Sequence, residues 1–325
     1  MVRIAIVAGT STDVTPYVTR CVWSGSRTQI ARKLEFEIVQ SEVDKNIEAI
    51  RLNVGYTIYF FDDEGELQFK GNVYEMERNP GANSVQVIAY DNLKVLTTSK
   101  STEKFKDQLP EDIARSICGK MGVYIGKIAA TKTPVSFIAN AKTGYEIICG
   151  AYAEAAKSTN KKYQLIMNGD NLNVIERGEL CGVVADSSTN MTDSIYKKSI
   201  ENLINAVQIV DENGNFKSWV SDAESVQNYS QYMTVYKEEK DKDAAKEARS
   251  LFTKPEQSGS ITMLGDYRLK TGYSLLVTDS NFNGRFWIKS DSHDFSGGIH
   301  VTKMELEFEN IADKMEVEKA KGAEK

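Results

Sequence analysis

Two short stretches of this chain alternate apolar and charged residues one by one. In the first, Leu34, Phe36 and Ile38 alternate with Lys33, Glu35 and Glu37; in the second, Met304, Leu306 and Phe308 alternate with Lys303, Glu305 and Glu307. Successive side chains of a strand point to opposite faces, so a strict period of two fits a strand with one buried and one polar face. Both ends of the chain are therefore expected to be antiparallel sheet. The four glutamates Glu35, Glu37, Glu305 and Glu307 are expected to face solvent or a lumen.

The segments around these stretches agree. Tyr56–Phe61 leads through Asp-Asp-Glu-Gly-Glu into a second apolar and aromatic run, a hairpin signal. A further turn at Asn79–Ser84 precedes Val85, Val87 and Ala89, which alternate again. Strands at this spacing predict a small barrel or sandwich in the first hundred residues.

At Asp91 the pattern changes to helices. A short helical piece, Asp91–Leu96, and a loop precede a helix with Pro110 at its start, Glu111 and Asp112 in its first turn, and Gly122 at its end. Thr143 and Glu146 are spaced as a capping box opening a second helix. Strands Lys162–Met167 and Leu172–Glu176 follow, joined by a turn through Gly169. This middle section reads as α+β. Strands return near Met191: Asn205–Val210, the turn Asp211–Asn215 and Phe216–Ser221 form a hairpin, and a charged helix is expected near 237–252. The tail after Ile311 is charged and expected to fray.

Gly55–Asp62 (GYTIYFFD) resembles Gly272–Asp279 (GYSLLVTD), and each is followed by a Gly-containing turn and a strand with Phe. Leu34–Ile38 also resembles Met304–Glu309, although it lies before its hairpin rather than after it. The pairing suggests a duplicated unit.

Composition narrows function. The net charge is −6, and Lys237–Arg249 interleaves acids with bases, so nucleic-acid binding is disfavoured. No apolar run is long enough to cross a bilayer, and the N-terminus lacks signal-peptide character, so assembly in the cytoplasm is expected. The four cysteines, Cys21, Cys118, Cys149 and Cys181, lack the spacing of a metal or redox motif and are expected to be reduced. Asp291, His293 and Asp294 lie close together, with 291 and 293 on one strand face, but a metal needs more ligands and a base needs a pocket. His293 is accordingly expected to bond locally. The turns at Asp62–Glu66 and Asp211–Asn215 lack the distal glutamate of a calcium loop. Acidic pairs such as Asp62 and Asp63 read as turn carboxylates. Trp23, Trp219 and Trp287 are expected to pack in a core or between subunits. No catalytic, cofactor-binding or metal-ligating residue is therefore expected.

The order of segments carries a resemblance. Val22–Ser26 (VWSGS) precedes LEFEI; GELQFKGNVYEMER precedes VQVIAYDNLKVLTTSK; then come EDIARSICGKMGV, GYEIICGAYAEAAK, ENLINAVQIV and GRFWIKSDSHDFSGGIHVTKMELEF. This arrangement, from about Ile4 to Glu309, resembles the XkdQ/YqbQ family of Firmicute prophage and phage-tail-like bacteriocin tail proteins. Its most specific pieces are Ala89–Leu96 and His293–Phe308. The resemblance implies a structural baseplate hub, not an enzyme, joining tail tube to central spike. It implies a mainly β fold with two tail-tube-like antiparallel β-barrel domains, 1–98 and 191–311, the second interrupted by the charged helix. A smaller α+β domain, 99–190, lies between them, and 312–325 is a tail. Three subunits would form a ring of six similar barrels. Expected partners are further copies of the chain, the tail tube protein, the central spike protein, a LysM-bearing baseplate protein and the tape-measure protein. The sequence stops at Lys325, so the lysozyme or peptidase module of some hub relatives is not expected. Two alternatives stay open: a tail-associated cell-wall hydrolase built from Cys149 or Cys118 with His293, and a carbohydrate-binding module using Trp219 or Trp287.

Overall fold

The structure is a computed structural model that describes residues 2–40, 50–159, 161–280, 283–309 and 318–319. The tail expected to fray beyond Ile311 lies outside these residues except at Glu318 and Lys319, whose backbone pairs with Ile138 and Phe137. The chain divides into two compact units, one comprising Met1–Ser194 with Ser260–Lys325 and the other Ile195–Gly259.

The first unit opens with β1 (Arg3–Ala8), β2 (Thr10–Asp13), β3 (Val18–Ser26), β4 (Lys33–Val39), β5 (Thr57–Phe61), β6 (Leu67–Asn79) and β7 (Ser84–Asp91). The period-two expectation holds in β4, where Leu34, Phe36 and Ile38 are buried and the lysine and glutamates between them are not. These inward residues join Trp23, Ile58, Phe60 and Val87 in one core beneath the sheet.

Next come α1 (Leu93–Thr98), β8 (Lys100–Gln108), α2 (Pro110–Met121), β9 (Ile125–Ile128), β10 (Val135–Thr143), α3 (Gly144–Thr159), β11 (Tyr163–Asn168) and β12 (Asn171–Glu176). The capping box forms: Thr143 Oγ1 accepts from Glu146 N at 3.2 Å, and Glu146 Oε2 accepts from Thr143 N at 2.8 Å. Gly122 ends α2 in a left-handed conformation, φ 70°. Leu93, Leu96, Ile113, Ile117, Ile147, Ile148 and Ala151 share a second core. β8 stands where a loop was expected. Only Phe105 of its nine residues is buried, so no apolar alternation marks it, and antiparallel pairing with β10 holds it extended.

The chain then forms β13 (Leu180–Asp186), β14 (Met191–Ser199), β15 (Ala206–Val210), β16 (Phe216–Ser221), α4 (Ala223–Tyr229), β17 (Met233–Lys237), α5 (Ala244–Ser250), β18 (Glu256–Leu264), β19 (Ser274–Thr278), β20 (Asn283–Asp294) and β21 (Val301–Glu307). The second unit holds a three-stranded sheet, β16-β15-β17. Val207, Ile209, Val220 and Tyr236 line one face of it and pack with Ala244, Ala248 and Phe252 of the α5 region. The charged helix expected near 237–252 is α5, capped by the Asp243 carboxylate on Ala245 N and Lys246 N.

The large sheet is curled as a half-barrel and runs β14-β18-β21-β20-β3-β4-β7-β6-β5-β1-β2, with β19 on β20 and β13 on β19. It contains the same five-strand arrangement twice. The order β3-β4-β7-β6-β5 recurs as β14-β18-β21-β20-β19. The hydrogen bonds recur too: Gly55 N donates to Val73 O and Val73 N to Tyr56 O, as Gly272 N donates to Ile288 O and Ile288 N to Tyr273 O. Both glycines have positive φ, +83° and +95°, which opens each hairpin at a place few other residues tolerate. Each long strand then bulges one residue further on, at Tyr74 against β7 and at Lys289 against β21. The GYTIYFFD and GYSLLVTD segments are thus equivalent in position. LEFEI and MELEFE are not: the first lies in β4, whose counterpart is β18, and the second lies in β21, whose counterpart is β7.

Candidate functional site

The two repeats meet where β20 runs antiparallel to β3, with His293 opposite Trp23 and Asp291 opposite Gly25. Alternation along β20 puts Asp291 and His293 on one face, as their spacing requires, and both are buried. Arg32, from the turn before β4, reaches them: Nη1 lies 2.9 Å from Asp291 Oδ1, and Nη2 bonds Oδ2. Thr271 N and Oγ1 also donate to Asp291 Oδ1, each at 2.6 Å. Trp23 lies against this group, with the Arg32 guanidinium 4.1 Å and the Lys270 ammonium 5.0 Å from its ring centres.

Burial sets the charges here. Burial would raise the Asp291 pKa, but the Arg32 charge and the hydrogen bonds from His293 and Arg32 outweigh it and hold the carboxyl well below its usual range. His293 is pushed down by burial despite Asp291. His300 is lowered to about 4 by burial and by His293. Lys270 is lowered to about 8 by burial and by Arg32. The histidines bond each other, Nδ1 of His293 to Nε2 of His300 at 2.9 Å, while His293 Nε2 lies 2.9 Å from Leu269 O. A carbonyl only accepts, so neutral His293 carries its proton on Nε2 and accepts on Nδ1. With no exposed surface, this ring has no route to a substrate proton, and the group acts as a structural lock.

His300 forms part of the wall of a cleft of about 660 Å³ that also involves Tyr267, Phe295 and the Asp62–Glu66 turn. Asp62 Oδ1 accepts from Glu64 N and Glu66 N, which closes the hairpin turn. Asp211 does the same for Asn213 N and Asn215 N in the second unit. Both acidic segments are hairpin turns, as expected.

The remaining candidates are dispersed. Asp294 caps the next turn through Ser296 N at 2.8 Å instead of joining Asp291. Cys118 and Cys149 pack in the helical core, and neither bonds His293. Burial raises the Cys118 thiol to about 12. Among the described residues no group of three or more His, Cys, Asp or Glu is placed to hold a metal, and no helix is long and apolar enough to cross a membrane. Trp23 is a core residue, as one of the two expected placements has it; Trp287 is half-buried beside Arg285, and Trp219 is 55% exposed and lies outside the core of this chain. Glu307 also departs from expectation. It is buried and paired with Arg27 and Arg177, so it faces neither solvent nor a lumen. Sequence reading missed Arg32 and Lys270 entirely, because nothing in their local pattern distinguishes them from surface cations.

A corner between the first repeat and the helices is equally specific. Asp91, in the Ala89–Leu96 segment, accepts from Arg32 N and from Leu93 N, both at 3.1 Å. Burial raises its pKa to about 7, with those bonds and the Arg32 charge opposing. The segment that carries the family resemblance thus fixes both the end of β7 and the start of α1. A family model described as YQBQ-like matches residues 21–307.

The chain belongs to the YQBQ-like family.

No curated protein matches it in sequence. Solved structures share its fold. The 43 kDa tail protein of prophage MuSo2 from Shewanella oneidensis is 15% identical, with a TM-score of 0.67 over 94% of this chain and 97% of that one. Prophage tail protein gp18 from Listeria monocytogenes EGD-e is 12% identical, with a TM-score of 0.55 over 95% of each chain. The E. coli c3393 protein, described as a type VI secretion component structurally similar to the T4 phage tail proteins gp27 and gp5, is 8% identical, with a TM-score of 0.54 over 93% of this chain and 76% of that one. The YQBQ-like fold is thus shared by phage tail and type VI secretion proteins.

Proposed function

We propose that this chain is a structural hub subunit of a contractile phage tail or phage-tail-like bacteriocin, joining the tail tube to the central spike. The observation that carries this reading is the repeated five-strand order with its matching glycines and bulges. A subunit that presents the same sheet twice suits a threefold ring with six similar positions, which matches a sixfold tube to a threefold spike. On this reading the repeats are two tube-like barrel domains, 1–98 and 191–311, and Ile195–Gly259 is an insertion in the second. The α+β section, 99–190, sits between them in sequence. Partners would be the tail tube protein, the spike, a LysM-bearing baseplate protein and the tape-measure protein. Assembly would take place in the bacterial cytoplasm, and the product would be part of the tail particle. The role needs no enzymatic step, no cofactor and no specific nucleic-acid contact.

Support comes from the family and from the tail and type VI proteins that share the fold. Glu305 is exposed and Glu35 and Glu37 are half-buried, Glu35 beside Lys33; these three would contribute to an acidic lumen that repels a passing polyanion, and Glu307 is removed from that set. Light scattering tests the reading: the chain, alone or with the spike protein of the same particle, should have the mass of a trimer. A chain that stays monomeric with the spike contradicts it.

A further inference from the structure

Two polar atoms beside the lock have no hydrogen-bond partner among the described residues. Arg32, 4% exposed, commits Nη1 and Nη2 to Asp291 and its backbone N–H to Asp91, which leaves Nε unmatched. Gln164, in β11, donates from Nε2 to Thr271 O at 3.1 Å, which leaves Oε1 unmatched. Both atoms are shielded from solvent. Glycines let the two side chains come this close to the backbone. A Cβ on Gly25 would lie 2.6 Å from Arg32 Nη1, and one on Gly272 would lie 2.2 Å from Gln164 Oε1. Arg32 and Gln164 line one cavity of about 20 Å³, together with Leu93, Tyr145 and Thr271. A space of that size holds one water molecule and little else.

We propose that this cavity is a binding site for a single internal water, which accepts a hydrogen bond from Arg32 Nε and donates one to Gln164 Oε1. The chemistry of the two atoms selects the occupant. A guanidinium nitrogen only donates, and an amide oxygen only accepts. An anion would satisfy the first and be repelled by the second; a cation would do the reverse. Water does both. The Gln164 amide cannot supply the match by turning over. Its oxygen would then face the Thr271 carbonyl, acceptor against acceptor, and its nitrogen would offer Arg32 a second donor. A buried donor and acceptor left unmatched together cost more than holding one water in place. The bridge has a consequence for the fold. Arg32 belongs to the first repeat, Asp291 to the second and Gln164 to the α+β section, so the water extends the lock to a third part of the chain. This site is independent of the hub reading.

The test is a crystal structure of the full chain at a resolution that places ordered water. The parent should show a density peak within about 3.2 Å of both Arg32 Nε and Gln164 Oε1. Gln164→Leu, close in size but without the acceptor, should lose that peak. In solution, relaxation dispersion of the water oxygen nucleus should count one long-lived water fewer in Gln164→Leu than in the parent. An empty cavity in the parent, a peak that reaches only one of the two atoms, or a protein acceptor on Arg32 Nε overturns the proposal. Equal counts of long-lived water in parent and variant overturn it as well. Should the variant fail to fold, the density of the parent alone decides.

Discussion

Arg32 and Asp291 are 259 residues apart in sequence and form a forked ion pair at the joint between the two repeats. Arg32 belongs to the turn before β4 and Asp291 to β20, so the pair ties the first repeat to the second. Breaking a buried pair from one side strands a charge away from water. Arg32→Met should lower unfolding free energy by about 3–5 kcal/mol. Arg32→Met combined with Asp291→Asn should recover part of that loss, because no buried charge is left alone. Urea denaturation of the three proteins measures both effects, and equal losses in the single and double variants would contradict the pairing.

His300 gives the fold a defined response to acid. Its folded pKa, about 4, lies below the ordinary 6.5, so the unfolded chain takes up the proton first as pH falls. Its contribution to stability is full above pH 6.5 and is lost progressively towards pH 4. Asp91 acts in the opposite sense across this range, because its folded pKa is raised from 3.8 to about 7. The comparison therefore needs His300→Phe beside the parent. The variant should lose less stability than the parent between pH 6.5 and pH 4, and identical pH profiles would count against a half-buried His300 held neutral.

Gly71 is needed for packing, not for a turn. A Cβ there would lie 2.2 Å from the Tyr90 carbonyl oxygen, a backbone atom that cannot move aside cheaply. Gly71→Ala should destabilise the first unit by about 3 kcal/mol, the upper part of the overpacking range. Thermal unfolding reads this directly. Gly65→Ala makes a useful contrast: nothing lies within 4 Å of its Cβ position, so its cost comes only from its positive φ.

The tryptophans separate the hub reading from its carbohydrate-binding alternative. Trp219 is exposed and Trp23 is buried, so acrylamide should quench a Trp219-only variant steeply and a Trp23-only variant weakly. Trp219→Ala should change stability by less than about 0.5 kcal/mol. Quenching that is protected by cell-wall polysaccharide would favour the carbohydrate-binding alternative. A lytic band on a peptidoglycan zymogram would favour the hydrolase. Neither is expected.

Much of the fold was legible because local chemistry decided it. The hairpin after Tyr56, the helix opening at Pro110, the Thr143–Glu146 cap and the turn at Gly169 each depend on residues close in sequence. The repeat was legible at Gly55 and Gly272, where a positive φ leaves few residue choices. It was misread at LEFEI and MELEFE, because a period of two reports that a strand has a buried face and says nothing of which neighbour it pairs. β8 was missed for the converse reason: its pairing with β10 sets its conformation, and its side chains are mostly polar. The lock at the joint depends on the long-range partners Arg32, Lys270 and Asp291, and Glu307 depends on Arg27 and Arg177. No local pattern encodes such partners.

On the hub proposal, one chain supplies two equivalent positions in a threefold ring. Electron-microscope class averages of the chain bound to its spike protein, viewed down the ring axis, decide this. They should show a closed ring of three subunits with six similar lobes at about equal spacing. Three lobes without internal repetition, or single subunits scattered on the spike, would contradict it.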